Sequence, residues 1–208
     1  LNNIKGITRI GMLRRLDTVD KKYSEYVHKW DTHYFELPFM FAGMIFAPFI
    51  VPFVVASIYL ISVIYFRSDD DITDGHKLFN KAFGYTMVYL LWVILGLILT
   101  VCMKKFLYRE RPNPGKTARL MELRWNEHNG AFPSGDTLQS AMYVGYVLIT
   151  FPLYGPNAYL QYLLLVAVPL VAFSRIYYHC HWIGDTIVGA IVGFILSAFA
   201  FLTTKAFY

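Results

Sequence analysis

Charge is what this 208-residue sequence has least of. Asp, Glu, Lys and Arg make up 16% of it, where a soluble domain carries about a quarter. So few charges cannot cover a water-facing globule of this length, which excludes an ordinary soluble domain and points to a chain built for lipid. Cysteine is scarce as well. The two present, Cys102 and Cys180, lie in or beside apolar runs, which argues against a disulfide framework and leaves the redox compartment unmarked. Basic helices and RNA-binding signatures are also missing. The net charge of +5 therefore points to acidic lipid or phosphate headgroups rather than to nucleic acid. No secretory signal stands at the start, and the chain opens on Leu1 rather than Met, which leaves processing or truncation upstream open.

What is abundant is apolar surface: 56% of residues are hydrophobic and 18% aromatic, with seventeen Phe and sixteen Tyr, suited to interfacial belts and helix packing in lipid. The expected fold class is all-α integral membrane, one bundle of about five transmembrane helices with a polar pocket at one membrane face. Residues 1–36 read as a polar arm, either partly amphipathic and lying on the membrane or solvated, and 37–208 as the transmembrane domain. Leu37 to Phe66 carries no Lys, Arg, His, Asp or Glu and is long enough to span with tilt despite Pro48 and Pro52, a reading preferred here over two re-entrant pieces. Further spans are expected over Ala82–Met103, Thr137–Phe151, Ala158–Phe173 and Thr186–Thr204, with a turn at Pro152–Pro156.

Alternation of these spans brings three polar stretches to one face: residues 104–136, the start of the third span, and Ser174–Asp185. That face, with the arm, holds fifteen of the nineteen Lys and Arg. The positive-inside rule turns it toward the cytoplasm, or toward the matrix of an organelle such as a mitochondrion. Ionisable groups gathered at a membrane boundary are costly and mark function. His181 and Asp185 are four apart, neighbours on one helical face, so the carboxylate can hold one ring nitrogen and leave the other to attack.

The three stretches read Lys104 through Arg111-Pro112, then Pro133-Ser134-Gly135-Asp136, then Ser174-Arg175 with His181 and Asp185. They resemble the type 2 phosphatidic acid phosphatase family, the lipid phosphate phosphatases. Its pattern is Lys, six residues, Arg-Pro; Pro-Ser-Gly-His; and Ser-Arg, five residues, His, three residues, Asp. The resemblance covers roughly residues 80–200. It implies that His181 is a nucleophile forming a phosphohistidine, with Asp185 orienting it. Lys104, Arg111, Ser134, Gly135 and Arg175 would hold the phosphate, and neither a metal nor another cofactor is needed. The residue chemistry agrees. A phosphoryl group in transfer spreads charge over three oxygens, which fixed cations and a helix start can meet. Substrates implied are lipid phosphates such as phosphatidate, isoprenyl pyrophosphate or phosphatidylglycerol phosphate.

The departure is Asp136, where the family has a His that protonates the leaving oxygen and later activates water. A carboxylic acid gives up its proton far more readily than an imidazolium, and a carboxylate repels phosphate. The expectation is therefore a slower enzyme, an enzyme with a shifted acidic optimum, or a silenced relative kept as a structural or lipid-holding subunit of a larger membrane assembly. The leading reading stays a membrane phosphatase acting on a lipid phosphate; Asp136 and the shortness of the chain, which shows five spans where family members commonly have six, keep the silenced relative beside it. His128 or His179 could substitute as acid. A transporter or channel is disfavoured by the lack of mid-span charge.

Bland readings stand beside these. Lys104, Lys105, Arg109 and Arg111 could be a snorkelling helix-end cluster, and Asp185 a helix cap. His179, His181 and Asp185 resemble a metal set, but residues two apart diverge on a helix. Asp69, Asp70, Asp71 and Asp74 lack EF-hand spacing and read as a solvated turn. Gly189 and Gly193 read as internal packing.

Overall fold

The computed structural model describes residues 2–31, 34–47, 49–67, 74–114, 119–124, 129–154 and 158–208, with side chains from residue 14 onward. Regular structure among them is entirely helical: α1 (Asn2–His28), α2 (Glu36–Met44), α3 (Val51–Arg67), α4 (Gly75–Phe106), α5 (Gly135–Thr150), a 3₁₀ segment (Ala158–Val166), α6 (Ala167–Tyr177) and α7 (Ile183–Phe207). Pro48, the Asp69–Asp71 part of the acidic turn, His128 and Pro156 lie outside the described residues.

Local chemistry sets the boundaries. Asp74 caps α4 by accepting the His76 N–H at 2.9 Å, and Lys104 and Lys105 occupy its last turn, where the helix end is negative. Ser134 caps α5, its Oγ accepting the Thr137 N–H at 3.4 Å. The fourth span is half 3₁₀ and half α-helix. Pro169 explains the change of winding. It cannot bond the carbonyl four residues back and its ring crowds that carbonyl, so the preceding turns adopt the tighter form.

The expected single span Leu37–Phe66 is corrected: it forms two helices, α2 and α3, separated by residues 45–50. Pro52, with no N–H to donate, sits in the first turn of α3, where a proline starts a helix rather than continuing one. Contacts hold α2 beside the end of α6. Ser174 Oγ donates to the Phe39 carbonyl at 2.5 Å and Tyr178 Oη to that of Glu36 at 3.1 Å. The Glu36 carboxylate accepts the Leu120 N–H at 2.6 Å. Gly43 leaves room for Ser174, whose Oγ would overlap a Cβ there. The count of spans stays near five, with α3 alone as the first. At seventeen residues it measures about 25 Å, near the minimum for a crossing.

α5 is the buried centre of the bundle. Leu138, Met142 and Tyr146 pack with Ile58, Tyr89, Val93 and Leu196. It lies closest to α7, where a Cβ on Gly189 would come within 2.5 Å of the Ser134 carbonyl oxygen. The reading of Gly189 and Gly193 as internal packing agrees with this close approach. Outward, α4 exposes Leu91, Leu95, Ile98 and Val101, and α7 exposes Ile187, Ile191, Ile195 and Phe199, rows that only hydrocarbon would solvate cheaply. α4, α7 and the 3₁₀ segment with α6 are long and apolar enough to cross a membrane. The chain is an integral membrane protein.

Candidate active site

The end of α4, the start of α5, the end of α6 and the start of α7 meet at one end of the bundle. The Ser134 N–H donates to the Asp185 carbonyl at 3.0 Å and the Ala131 N–H to that of Arg109 at 2.7 Å. His181 lies in the turn between α6 and α7, 1% exposed. Its own N–H donates to the Arg175 carbonyl at 3.2 Å.

One ring nitrogen of His181 is committed. Nδ1 lies 2.7 Å from the Ala131 carbonyl oxygen, which can only accept, so Nδ1 carries the proton and Nε2 carries the lone pair. Burial holds the imidazole pKa below its usual value. The Asp185 side chain opposes that shift, and the cations Arg175, Arg111 and Lys104 reinforce it. The ring is therefore neutral near pH 7 and nucleophilic. The same three cations that the sequence grouped thus all act on His181.

Asp185 is fully buried, and its two oxygens are held separately. Oδ2 accepts the Trp182 N–H at 2.9 Å and Oδ1 accepts from Arg109 at 2.6 Å. Its distance to His181 Nδ1 is 3.8 Å, an ion-pair separation rather than a hydrogen bond. The carbonyl of Ala131 orients the ring, and Asp185 acts on it through space. Asp185 also serves the start of α7, since its bond to the Trp182 N–H is part of a capping box. Arg109, which the spacing grouped only with a helix-end cluster, is the residue that sequence reasoning missed.

The expected phosphate-binding residues are engaged. Arg111 donates to the Cys180 carbonyl at 2.7 Å, to the Asn129 side-chain oxygen at 2.7 Å and to the Asn129 and Gly130 carbonyls at 3.0 and 3.3 Å. It ties two loops together as well as bringing charge. Nε of Arg175 lies 3.0 Å from Asp136 Oδ2, an ion pair without good hydrogen-bond alignment. Ser134 is buried, its Oγ 2.9 Å from Thr137 Oγ1. Gly135 opens α5 next to it, and Lys104 stands in the last turn of α4.

His179 does not supply the missing acid. It stacks on His28 with ring centroids 4.5 Å apart. Burial first, then His28, Arg119 and Arg124, bring its pKa down to about 4, so it holds no proton to give at neutral pH. Among the described residues no three His, Cys, Asp or Glu are grouped to hold a metal, and His179, His181 and Asp185 face different partners.

The sequence profile of the PAP2 superfamily matches residues 85–208. Two solved structures share the fold. The transmembrane PAP2-type phosphatidylglycerolphosphate phosphatase of Bacillus subtilis is 20% identical with a TM-score of 0.65, over 93% of this chain and 86% of that one. The LpxE of Aquifex aeolicus is 17% identical with a TM-score of 0.59, over 86% of this chain and 92% of that one. No curated protein matches the chain.

Proposed function

The chain belongs to the PAP2 superfamily, and on that premise we propose that it is a membrane-embedded lipid phosphate phosphatase working through a phosphohistidine on His181. The observation that carries the reading is the buried imidazole of His181, 1% exposed, with Nδ1 fixed 2.7 Å from the Ala131 carbonyl. Burial and the charges of Arg175, Arg111 and Lys104 favour its neutral form.

Nε2 attacks phosphorus, the bond from phosphorus to the lipid alcohol oxygen breaks, and that oxygen takes a proton from solvent water. Water then attacks the same phosphorus, the phosphorus–nitrogen bond breaks, and the water proton passes to the Asp136 carboxylate, which returns it to solvent. The three cations meet the charge on the equatorial oxygens in both steps. The Asp185 carboxylate, 3.8 Å from Nδ1, stabilises the positive charge that the ring gains as Nε2 bonds phosphorus. Ser134 and the first turn of α5 offer further donors to the anion. The substrate is a lipid phosphomonoester reached from the bilayer. The excess of Lys and Arg on the site face favours the cytoplasm or an organelle matrix as the side it serves.

One observation favours a second reading. Asp136 sets its carboxylate against Arg175 at 3.0 Å, where a phosphate oxygen would otherwise go. That supports a weakened or silent relative, retained as a structural or lipid-holding subunit. Phosphate release from short-chain phosphatidate separates the two, comparing the purified chain, His181→Ala and Asp136→His. Release that vanishes in His181→Ala supports the enzyme. A silent parent that gains release in Asp136→His supports the second reading.

A further inference from the structure

α1 reaches into the site through charge. Arg109 donates to Asp185 Oδ1 at 2.6 Å, to Asp20 Oδ2 at 2.8 Å and to Asp17 Oδ1 at 2.7 and 3.1 Å. Three carboxylates, two from α1 and one from α7, share one guanidinium that is 17% exposed. Asp20 also reaches α7 directly, its Oδ1 accepting the Gly184 N–H at 2.8 Å. Ser24 accepts the Ile183 N–H at 2.9 Å. Two of the unpaired N–H groups that open α7 are thus capped from α1 rather than from the helix's own sequence. A Cβ at Gly184 would fall 2.8 Å from Asp20 Oδ2, so the glycine is what admits the carboxylate.

We propose that Arg109 and Asp20 are positioning residues for the nucleophile, and that α1 is a working part of the site. Arg109 holds Oδ1 of Asp185 and so sets how much negative charge reaches His181. Asp20 sets how firmly Arg109 leans on Asp185. The inference rests on the phosphatase reading only for its catalytic consequence. The charge relay itself is readable in a chain that turns nothing over.

The test is the titration of the His181 ring by NMR, in the full chain with nitrogen-15-labelled histidine in detergent. The charged groups acting on that ring are Asp185, Arg175, Arg111 and Lys104, and none is altered. Arg109→Gln leaves Asp185 uncompensated, so the His181 pKa rises relative to the parent chain. Asp20→Asn leaves Arg109 with one fewer anion, so it neutralises Asp185 more fully and the His181 pKa falls further. Asp17→Asn, on the more exposed of the two α1 carboxylates, gives a smaller fall and covers the case in which Asp20→Asn does not fold. Lys22→Gln, on the outer side of α1, leaves the titration in place. General loosening would move every variant the same way, toward the usual value. Shifts of one sign, or no shifts, overturn the proposal. In a chain that releases phosphate, Arg109→Gln lowers kcat on the order of tenfold with little change in KM, because the phosphate-holding cations are untouched. Opposite shifts in a chain without turnover retain the proposal and count against the phosphatase reading alone.

Discussion

Asp136 and Arg175 stand 3.0 Å apart, a carboxylate resting on one of the cations that the proposed function assigns to phosphate. On that reading the carboxylate stands where the family pattern has an imidazole and also competes with the ligand.

Removing that competition strengthens anion binding. Asp136→Asn keeps the shape and removes the charge, and inorganic phosphate then binds about tenfold more tightly, the scale of one hydrogen bond to a charged group. Calorimetry on the detergent-solubilised chain reads it. Equal affinities would show that Asp136 does not gate the cations.

The acid limb of activity lies low. Burial and three cations depress the His181 pKa, so the neutral, attacking form persists at pH values where an ordinary imidazole is protonated. A pH profile of kcat/KM, in the parent or in Asp136→His, has its acid limb below about 6.5. A limb above that value would place His181 in a more anionic setting.

The sequence placed Lys104, Arg111, Ser134, Arg175 and His181 at one membrane end, because alternation of spans and motif spacing are both one-dimensional facts. Three things were not settled by the sequence. The division of residues 37–66 was the less favoured of two readings, and the contacts of Gly43 and Phe39 with Ser174 that accompany it join positions 131 and 135 residues apart in the chain. The role of Arg109 depends on Asp17 and Asp20, which sit in a stretch whose charges look scattered when read in line. The orienting partner of His181 is a backbone carbonyl, that of Ala131, and a carbonyl leaves no mark on residue type.

Acid weakens the fold through His179. Its pKa is about 4 when folded, chiefly from burial, and near 6.5 when unfolded. The unfolded chain therefore takes up the proton first. The contribution is fully present above pH 6.5 and is lost as pH falls from there toward 4. The residue has φ of 56°, a left-handed conformation that asparagine tolerates. His179→Asn should flatten the decline of the thermal midpoint between pH 6.5 and 4. An unchanged slope would assign the acid sensitivity elsewhere.

Gly189 keeps α5 and α7 in register at the site. Gly189→Ala brings a methyl to 2.5 Å from the Ser134 carbonyl, backbone that cannot yield cheaply. The cost is about 1–3 kcal/mol of stability, with weaker phosphate binding as Ser134 shifts. Gly75→Ala, where nothing lies within 4 Å, is the control in the same melting experiment. Equal melting of the two variants would show that the helices have room to part.

The most direct measurement is the fate of the phosphoryl group itself. The chain is incubated with short-chain phosphatidate carrying labelled phosphorus, quenched in alkali and digested. The expected result is label on the peptide holding His181, in the parent chain or in Asp136→His, and none in His181→Ala. Label on neither chain, or label that survives His181→Ala, would contradict a nucleophilic His181.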